Sequence, residues 1–469
     1  MSPSSVNPMP ADFQPEEIIC SLGADFYDAV EPAGFPAHIL RFRNDRAAAE
    51  TGLAALDDEA WISHFGKFLP LPGSLQEPLA LRYHGHQFRS YNPQIGDGRG
   101  FLFAQMRDKA GRLMDLGTKG SGQTPYSRFG DGRLTLKGAV REVLATEMLE
   151  ALGVRTSRSF SVIETGEALQ RNDEPSPTRS AVLVRLSHGH IRYGSFQRFA
   201  YLGESENIAR LADYSLQHLL NDRPGGDDAA PRLLDHAVKG AARLVASYMA
   251  AGFVHGVLNT DNISITAESF DYGPWRFNPT WNGSFTAAYF DESGLYAFGR
   301  QAETLQWNLL QLANCLTHIA PVEVLQPVFD SYAEHYRRAF CAAMLWRLGV
   351  RSRGEESDQQ LVEAMAEALS KTGVGIDRFF FDWFGGRRHG PGPEDAGYDR
   401  PEFTDFITRL SSYAPRLGST PDYFHDAAPC SMLIDEVEAI WSAIAGDDDW
   451  KPFHAKVAAI RRMGEALAG

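Results

Sequence analysis

The chain has 469 residues, 43% of them hydrophobic, with 45 lysines and arginines against 60 aspartates and glutamates, a formal charge of −15. That length and apolar content suffice for a full-sized core and suggest one large bilobal fold or two to three domain-sized units. The acidic balance repels phosphate backbones and anionic lipid, which argues against general nucleic-acid binding, so any site for a polyanion must gather its cations locally.

The opening residues, Met1 to Cys20, hold no basic stretch followed by an apolar run, and no later segment reaches a bilayer-spanning length. A soluble, cytoplasmic protein with no membrane association is expected. Cys20, Cys315, Cys341 and Cys430 lie far apart and form no CxxC pair, which fits ordinary thiols in a reducing compartment and argues against a zinc site.

Up to about residue 200 the chain is rich in short β-like runs broken by glycine, at 100–106, 113–119, 159–164 and 181–186. Between them, Val140, Val143, Leu144, Met148 and Leu152 recur at helical spacing over 136–152, with Gly153 as a stop. From about 205 the pattern turns helical. Val238, Ala241, Ala242, Val245, Tyr248 and Met249 mark a long helix ending at Gly252, and further helices are predicted near 300–350, 358–372 and 431–466. The stretches 171–178, 222–232 and 385–398 have the composition of surface loops.

Three constellations carry chemistry. Gly96-Asp97-Gly98-Arg99-Gly100 precedes a strand-like run; such a loop is either a tight turn or a phosphate clamp, and Arg99, able to chelate phosphate oxygens, favours the clamp. Lys119 ends a strand and Glu142 follows 23 positions later on the amphipathic helix, the spacing of the device by which kinases orient phosphates. His255-Gly256-Val257-Leu258-Asn259-Thr260-Asp261-Asn262 follows the long helix, with Asp271-Tyr272-Gly273 beyond it. This parallels the kinase catalytic loop and metal motif, in which the asparagine and the second aspartate bind magnesium. Val257 stands where a kinase has its base, so Asp261 is the nearest replacement. Arg185 and Arg192, near a strand end, suit a polyphosphate. His84 with His86, and His188 with His190, lack the carboxylates or cysteines that would complete a metal site, so structural roles are expected.

A strand-rich segment followed by a helical one, with these motifs, predicts an α+β, protein-kinase-like bilobal fold. Residues 1–204 form an N-terminal extension and a strand-rich nucleotide-binding lobe, and residues 205–469 a helical lobe carrying the catalytic and metal-binding loops.

The same residues resemble the selenoprotein O family, whose bacterial members are also called YdiU. The resemblance rests on Tyr83-His84-Gly85-His86-Gln87-Phe88, Pro93 to Gly100, Lys119-Gly120-Ser121-Gly122-Gln123-Thr124-Pro125-Tyr126-Ser127-Arg128, Asp131-Gly132-Arg133, Arg141-Glu142, His255 to Asn262 with Asp271 to Pro274, and Tyr296-Ala297-Phe298-Gly299-Arg300-Gln301. It covers about residues 20 to 315. The resemblance implies a kinase-like enzyme that binds ATP in a flipped orientation and transfers AMP to Ser, Thr or Tyr hydroxyls of proteins, releasing pyrophosphate. It further implies that Gly96, Gly98, Arg99, Lys119, Asp131, Gly132, Arg185, Arg192 and Asp271 contact nucleotide, and that Asn262 and Asp271 hold Mg2+ or Mn2+. Asp261 would be the proton acceptor and Glu142 would anchor Lys119.

The chain departs from the family at Gln123, where many members have lysine, and at His84, where many have alanine. It has no Pro-x-x-Val-Leu-Arg-Asn-like segment near Pro429, and no terminal cysteine or selenocysteine through which redox control could run. No motif reads the base, so UMP transfer from UTP stays open. An ATP-dependent phosphotransferase and a nucleotide-binding pseudokinase are the other readings.

Overall fold

The computed structural model describes residues 10–172, 174–390 and 392–469; residues 1–9 of the stretch read for a leader lie outside the described residues. The first lobe is organised by a strand whose two faces are both covered. All seven residues of Leu113–Lys119 are buried, which is why this run lacks clean apolar–polar alternation. It pairs antiparallel with Leu102–Arg107 on one side and Thr178–Ser187 on the other, with Lys119 opposite Leu183 and Leu116 opposite Leu186. The sheet continues outward through Leu79–Leu81 to Tyr27–Ala29 at one edge, and through Arg158–Leu169 to Ile39–Arg43 at the other.

Helix Leu136–Ala151 starts where the Thr135 side chain accepts the Gly138 N–H, and it covers one sheet face through Val140, Val143, Leu144 and Met148. The opposite face is closed by an aromatic cluster in which Trp61 stacks on Phe160 with 4.8 Å between ring centroids. Trp61 is carried by helix Asp58–Phe65, and the helix before it is Asp45–Glu50. Both were absent from the sequence reading. They are shorter than the window in which helical periodicity shows, but each begins on an Asx side chain, Asn44 or Asp57, that accepts a first-turn N–H.

The helical part begins earlier than the expected change of pattern at 205, with Tyr193–Leu202 and then Ser205–Tyr214. Its axis is Ala229–Ala251, against which Gln301–Leu316 and Tyr332–Leu348 pack. This long helix stops at Gly252, which takes the left-handed conformation at φ 70° that a C-terminal cap requires. The helical region expected over 431–466 holds two helices, Ile434–Asp447 and Lys451–Ala468, separated where Asp448 turns left-handed at φ 49°. Among the described residues no helix is long and apolar enough to cross a membrane. The result is a strand-rich lobe followed by a helical lobe, the α+β kinase-like order expected.

The last helix returns to the first lobe. Lys451–Ala468 lies along Leu136–Ala151 so closely that a Cβ on Gly464 would sit 3.0 Å from the Ala151 Cα. Arg461 grips Glu147 with two hydrogen bonds of 2.6 and 2.8 Å. One continuous hydrophobic cluster therefore runs from Ile19 to Leu467 and joins both lobes.

Because the Glu147 side chain is only 3% exposed, removing its partner strands a buried charge. Arg461→Met is expected to destabilise the fold by about 2 kcal/mol, less than a fully buried pair because Arg461 keeps some solvent contact. Glu147→Gln added to it should restore most of the loss, as measured by urea denaturation; equal stability of wild type and Arg461→Met would contradict this account.

Candidate active site

Three elements meet at the Lys119 ammonium. The strand delivers Lys119 with its side chain 6% exposed, and the helix on the sheet face delivers Glu142, whose carboxylate oxygen lies 2.6 Å from Lys119 Nζ. From the other lobe, Asp271 Oδ1 comes within 2.8 Å of the same nitrogen. Asp271 adopts a left-handed backbone with φ 63°, a conformation aspartate tolerates better than most residues.

Two arginines close the group. Arg185 Nη1 is 3.7 Å from both the Glu142 and Asp271 carboxylates, and Arg192 Nη1 is 3.9 Å from Asp271 Oδ2. Burial alone would raise the Asp271 carboxyl, but Lys119, then Arg185, Arg192 and Arg99, outweigh it and hold the group well below the usual carboxylate range. Asp271 is thus an anion at any physiological pH. Arg185 Nε and Nη1 and Arg192 Nε are buried without a hydrogen-bond partner among the described residues. Buried guanidinium donors of this kind suit an anionic ligand.

Beside this group opens a cavity of about 590 Å3. Gly96, Gly98, Arg99, Lys119, Asp131, Gly132, Arg185, Arg192, Asp261 and Asp271 all line it, so ten of the expected site residues share one space. Glu142 stands behind Lys119, and Asn262 follows Asp261 on the 3-10 turn Thr260–Asn262. Seven cationic side chains face the cavity against four carboxylates. In a chain of net charge −15, this is the local collection of cations that a polyanion demands.

The glycine-rich loop carries packing constraints of its own. Gly96, Gly98 and Gly100 have no left-handed φ, and at least the Asp97 N–H is committed, donating to Leu81 O at 3.1 Å. Glycine is required there by close approach: a Cβ on Gly96 would lie 2.4 Å from the Tyr126 ring, and one on Gly100 2.0 Å from Thr118 O. The loop is clamped by Thr124 and Ser127, whose hydroxyls donate to Asp97 O and Gly98 O at 2.5 Å each. Asp131 sits exposed at the rim and is bonded to Arg171 at 2.8 Å.

Asp261 has the opposite environment from Asp271. Only 7% of it is exposed. Burial pushes its carboxyl up to about 6 against the opposing pull of Arg192. Its Oδ1 has no hydrogen-bond partner among the described residues, and its Oδ2 receives only a long contact from Gln87 Nε2 at 3.4 Å. The Asn262 amide donates to Val257 O at 2.9 Å, which leaves its oxygen as the remaining acceptor. His255 pins this loop to the Asp271 segment: its N–H donates to Gln301 Oε1, and its Nε2 pairs with Phe270 O at 3.0 Å. Burial lowers its imidazole pKa, so the ring is neutral and acts as a strut.

Sequence reasoning gave no role to Tyr83, Asp97 or Phe270, the residues that surround Arg192. Arg192 is held between the Tyr83 and Phe270 rings, 4.4 and 4.8 Å from their centroids, and bonds Asp97 at 3.2 Å and Asp261 O at 2.9 Å. Tyr83 and Asp97 flank or fall inside motifs that were singled out, but nothing in their spacing assigns them to an arginine. His190 reaches the cavity with Nδ1 3.1 Å from Asp115. His84 and His86 are bonded to Tyr91 and Gln197, and His188 to two backbone carbonyls.

Comparison with known proteins places the chain. Residues 10–387 match a family model described as protein adenylyltransferase SelO. A protein nucleotidyltransferase YdiU from Synechocystis is 42% identical over 94% of this chain and 96% of its own length, and one from Gloeobacter violaceus 43% identical over 96% and 95%. A YdiU of Pseudomonas aeruginosa is 38% identical over 71% of this chain and 69% of its own. A solved rhoptry antigen kinase domain of Toxoplasma gondii aligns over 56% of this chain and 84% of its own at 12% identity with a TM-score of 0.27, an overlap too loose to inform the site. With the cation-lined cavity, the Lys119–Glu142 pair and the long sequence match taken together, the chain belongs to the SelO family of protein adenylyltransferases, the YdiU nucleotidyltransferases.

Proposed function

We propose that this chain transfers AMP from ATP to serine, threonine or tyrosine hydroxyls of other cytoplasmic proteins, releasing pyrophosphate. The observation that carries the reading is the contrast between two aspartates on one cavity. Asp271, ringed by cations, is a permanent anion, whereas Asp261, buried and short of hydrogen bonds, has its carboxyl pushed up to about 6. Separating two carboxyl groups in this way assigns them different tasks.

On this reading Arg99, Lys119, Arg185 and Arg192 hold the phosphates, and Gly96, Gly98 and Gly132 let the backbone come close. Asp131 lies at the rim, where it orients Arg171. The acceptor hydroxyl attacks the α-phosphorus, the bond to the pyrophosphate oxygen breaks, and Asp261 takes the hydroxyl proton. Val257, at the position of the kinase base, can take none. Glu142 fixes Lys119 before the nucleotide arrives, so less freedom is lost on binding.

The hard-oxygen set of the Asp271 carboxylate and the Asn262 amide oxygen fits Mg2+ or Mn2+. A divalent ion held there would neutralise phosphate charge when bound. The nucleotide is then grasped between residues 1–204 and the loops of 205–469, which we take as the two functional lobes.

Incubation of the protein and an acceptor with ATP labelled at either the α or the γ phosphorus separates AMP transfer from phosphotransfer. Label should move only from the α position; transfer from the γ position alone would overturn the proposal. A competition series with UTP, read by mass spectrometry as added AMP or UMP, fixes the base.

The raised Asp261 pKa sets the sign of the pH dependence. Below about pH 6 the carboxyl of the free enzyme is protonated and cannot accept a proton, so kcat/KM should fall on the acid side with a midpoint near 6. Asp261→Asn should lower kcat by about 100-fold or more with ATP affinity retained, and should abolish that acid limb. A wild-type rate that is flat from pH 5 to 7 would remove Asp261 from the role.

A further inference from the structure

The hairpin of strands Gly85–Gln87 and Ser90–Asn92 turns through Phe88 and Arg89, both with left-handed backbone at φ 50° and 61°. Neither residue type favours that region. The conformation is held by the loop that carries Asp261. The Phe88 N–H donates to Asn259 Oδ1 at 3.1 Å and to the Tyr296 hydroxyl at 3.2 Å, and the His86 N–H donates to Thr260 Oγ1 at 2.7 Å. Backbone strain fixed by several independent bonds beside a reacting group is a mark of function.

The strained turn sets two side chains. Gln87 turns inward and reaches the Asp261 carboxylate, and Phe88, the next residue, turns outward. Its ring lies 4.9 Å from Tyr296 and 5.8 Å from Phe290, which in turn lies 5.2 Å from Tyr289. Phe88 is 38% exposed, Phe290 47% and Tyr289 86%. Two segments distant in sequence, the hairpin tip and the stretch that follows Asp271, thus build one exposed aromatic platform next to the carboxylate that meets the acceptor. Isolated exposed aromatics are common, but a contiguous cluster beside a site is not.

Resting on the transferase reading, the geometry points to this platform as the docking surface for the acceptor protein, taking an extended segment with a bulky apolar side chain adjacent to the modified hydroxyl. A chain that presents a hydroxyl to Asp261 passes Gln87 and so passes Phe88. Neighbouring residues of an extended segment are about 3.8 Å apart at Cα, so the residues that flank the hydroxyl are the ones offered to the rings. The cation at the hairpin tip is paired: Arg89 lies 3.3 Å from Glu303 and over the Trp307 ring at 5.4 Å. The three rings themselves offer apolar contact as the means of selection.

Two fluorescent peptides of equal length test this on the full chain, one with phenylalanine and leucine around a central serine, the other with asparagine and serine at those positions. By anisotropy the apolar peptide should bind about tenfold more tightly or better. The double substitution Tyr289→Ser/Phe290→Ser, at exposed positions, should erase that preference without changing ATP affinity. Equal binding of the two peptides, or a preference that survives the substitutions, overturns the docking surface. So does sedimentation in which the substitutions dissociate a dimer, since the platform would then serve self-association. AMP transfer to the same peptides is measured separately: discrimination in binding without any transfer would refute the proposed activity and leave the docking surface standing.

Discussion

The architecture of the site depends on one ammonium group. Lys119 is the last residue of a strand buried on both faces, and its nitrogen is shared by a carboxylate from the neighbouring helix and one from the opposite lobe. A lysine so enclosed is costly to desolvate unless its charge is answered at close range. Glu142 and Asp271 answer it from two directions, so the same pair of contacts that makes the burial tolerable also fixes the helix against the sheet and the Asp271 loop against both.

The surrounding charges continue that balance. Arg185 and Arg192 add two positive groups around Asp271, and Arg192 is further tied to Asp97 of the glycine-rich loop and to the backbone of Asp261. Arg192 thereby touches the three parts that must agree: the loop, the anionic aspartate and the aspartate with the raised pKa. Its guanidinium packs against the Tyr83 and Phe270 rings. The donors that remain unpaired on these arginines are directed by the same packing, so a bound anion would find them already oriented.

What could be read from the sequence follows from how locally each feature is encoded. The 136–152 helix was legible to within a residue because its apolar stripe is continuous, and strand 113–119 because its run is bounded by glycine. The convergence of Lys119, Glu142, Asp261 and Asp271 was legible because fixed spacings carry it. Tyr83, Asp97 and Phe270 were not, because their roles depend on which ring or carboxylate lies beside which arginine in space. The glycines at 96 and 100 carry a packing constraint that their spacing does not show. Their neighbours Tyr126 and Thr118 lie 30 and 18 positions away, and only the folded loop brings them into contact. The return of the last helix to the first lobe was likewise hidden, since periodicity gives the buried face of a helix and not its partner.

That return has a consequence for the order of assembly. Glu147 and Arg461 are 314 residues apart along the chain. As a ribosome extends the polypeptide from its amino terminus, the sheet and its covering helix emerge long before the segment that clasps them. Until the Lys451–Ala468 segment is made, the flank of the helix that it covers lacks that support. Contacts this far apart along the chain reward the fold only after a large loop-closure cost has been met.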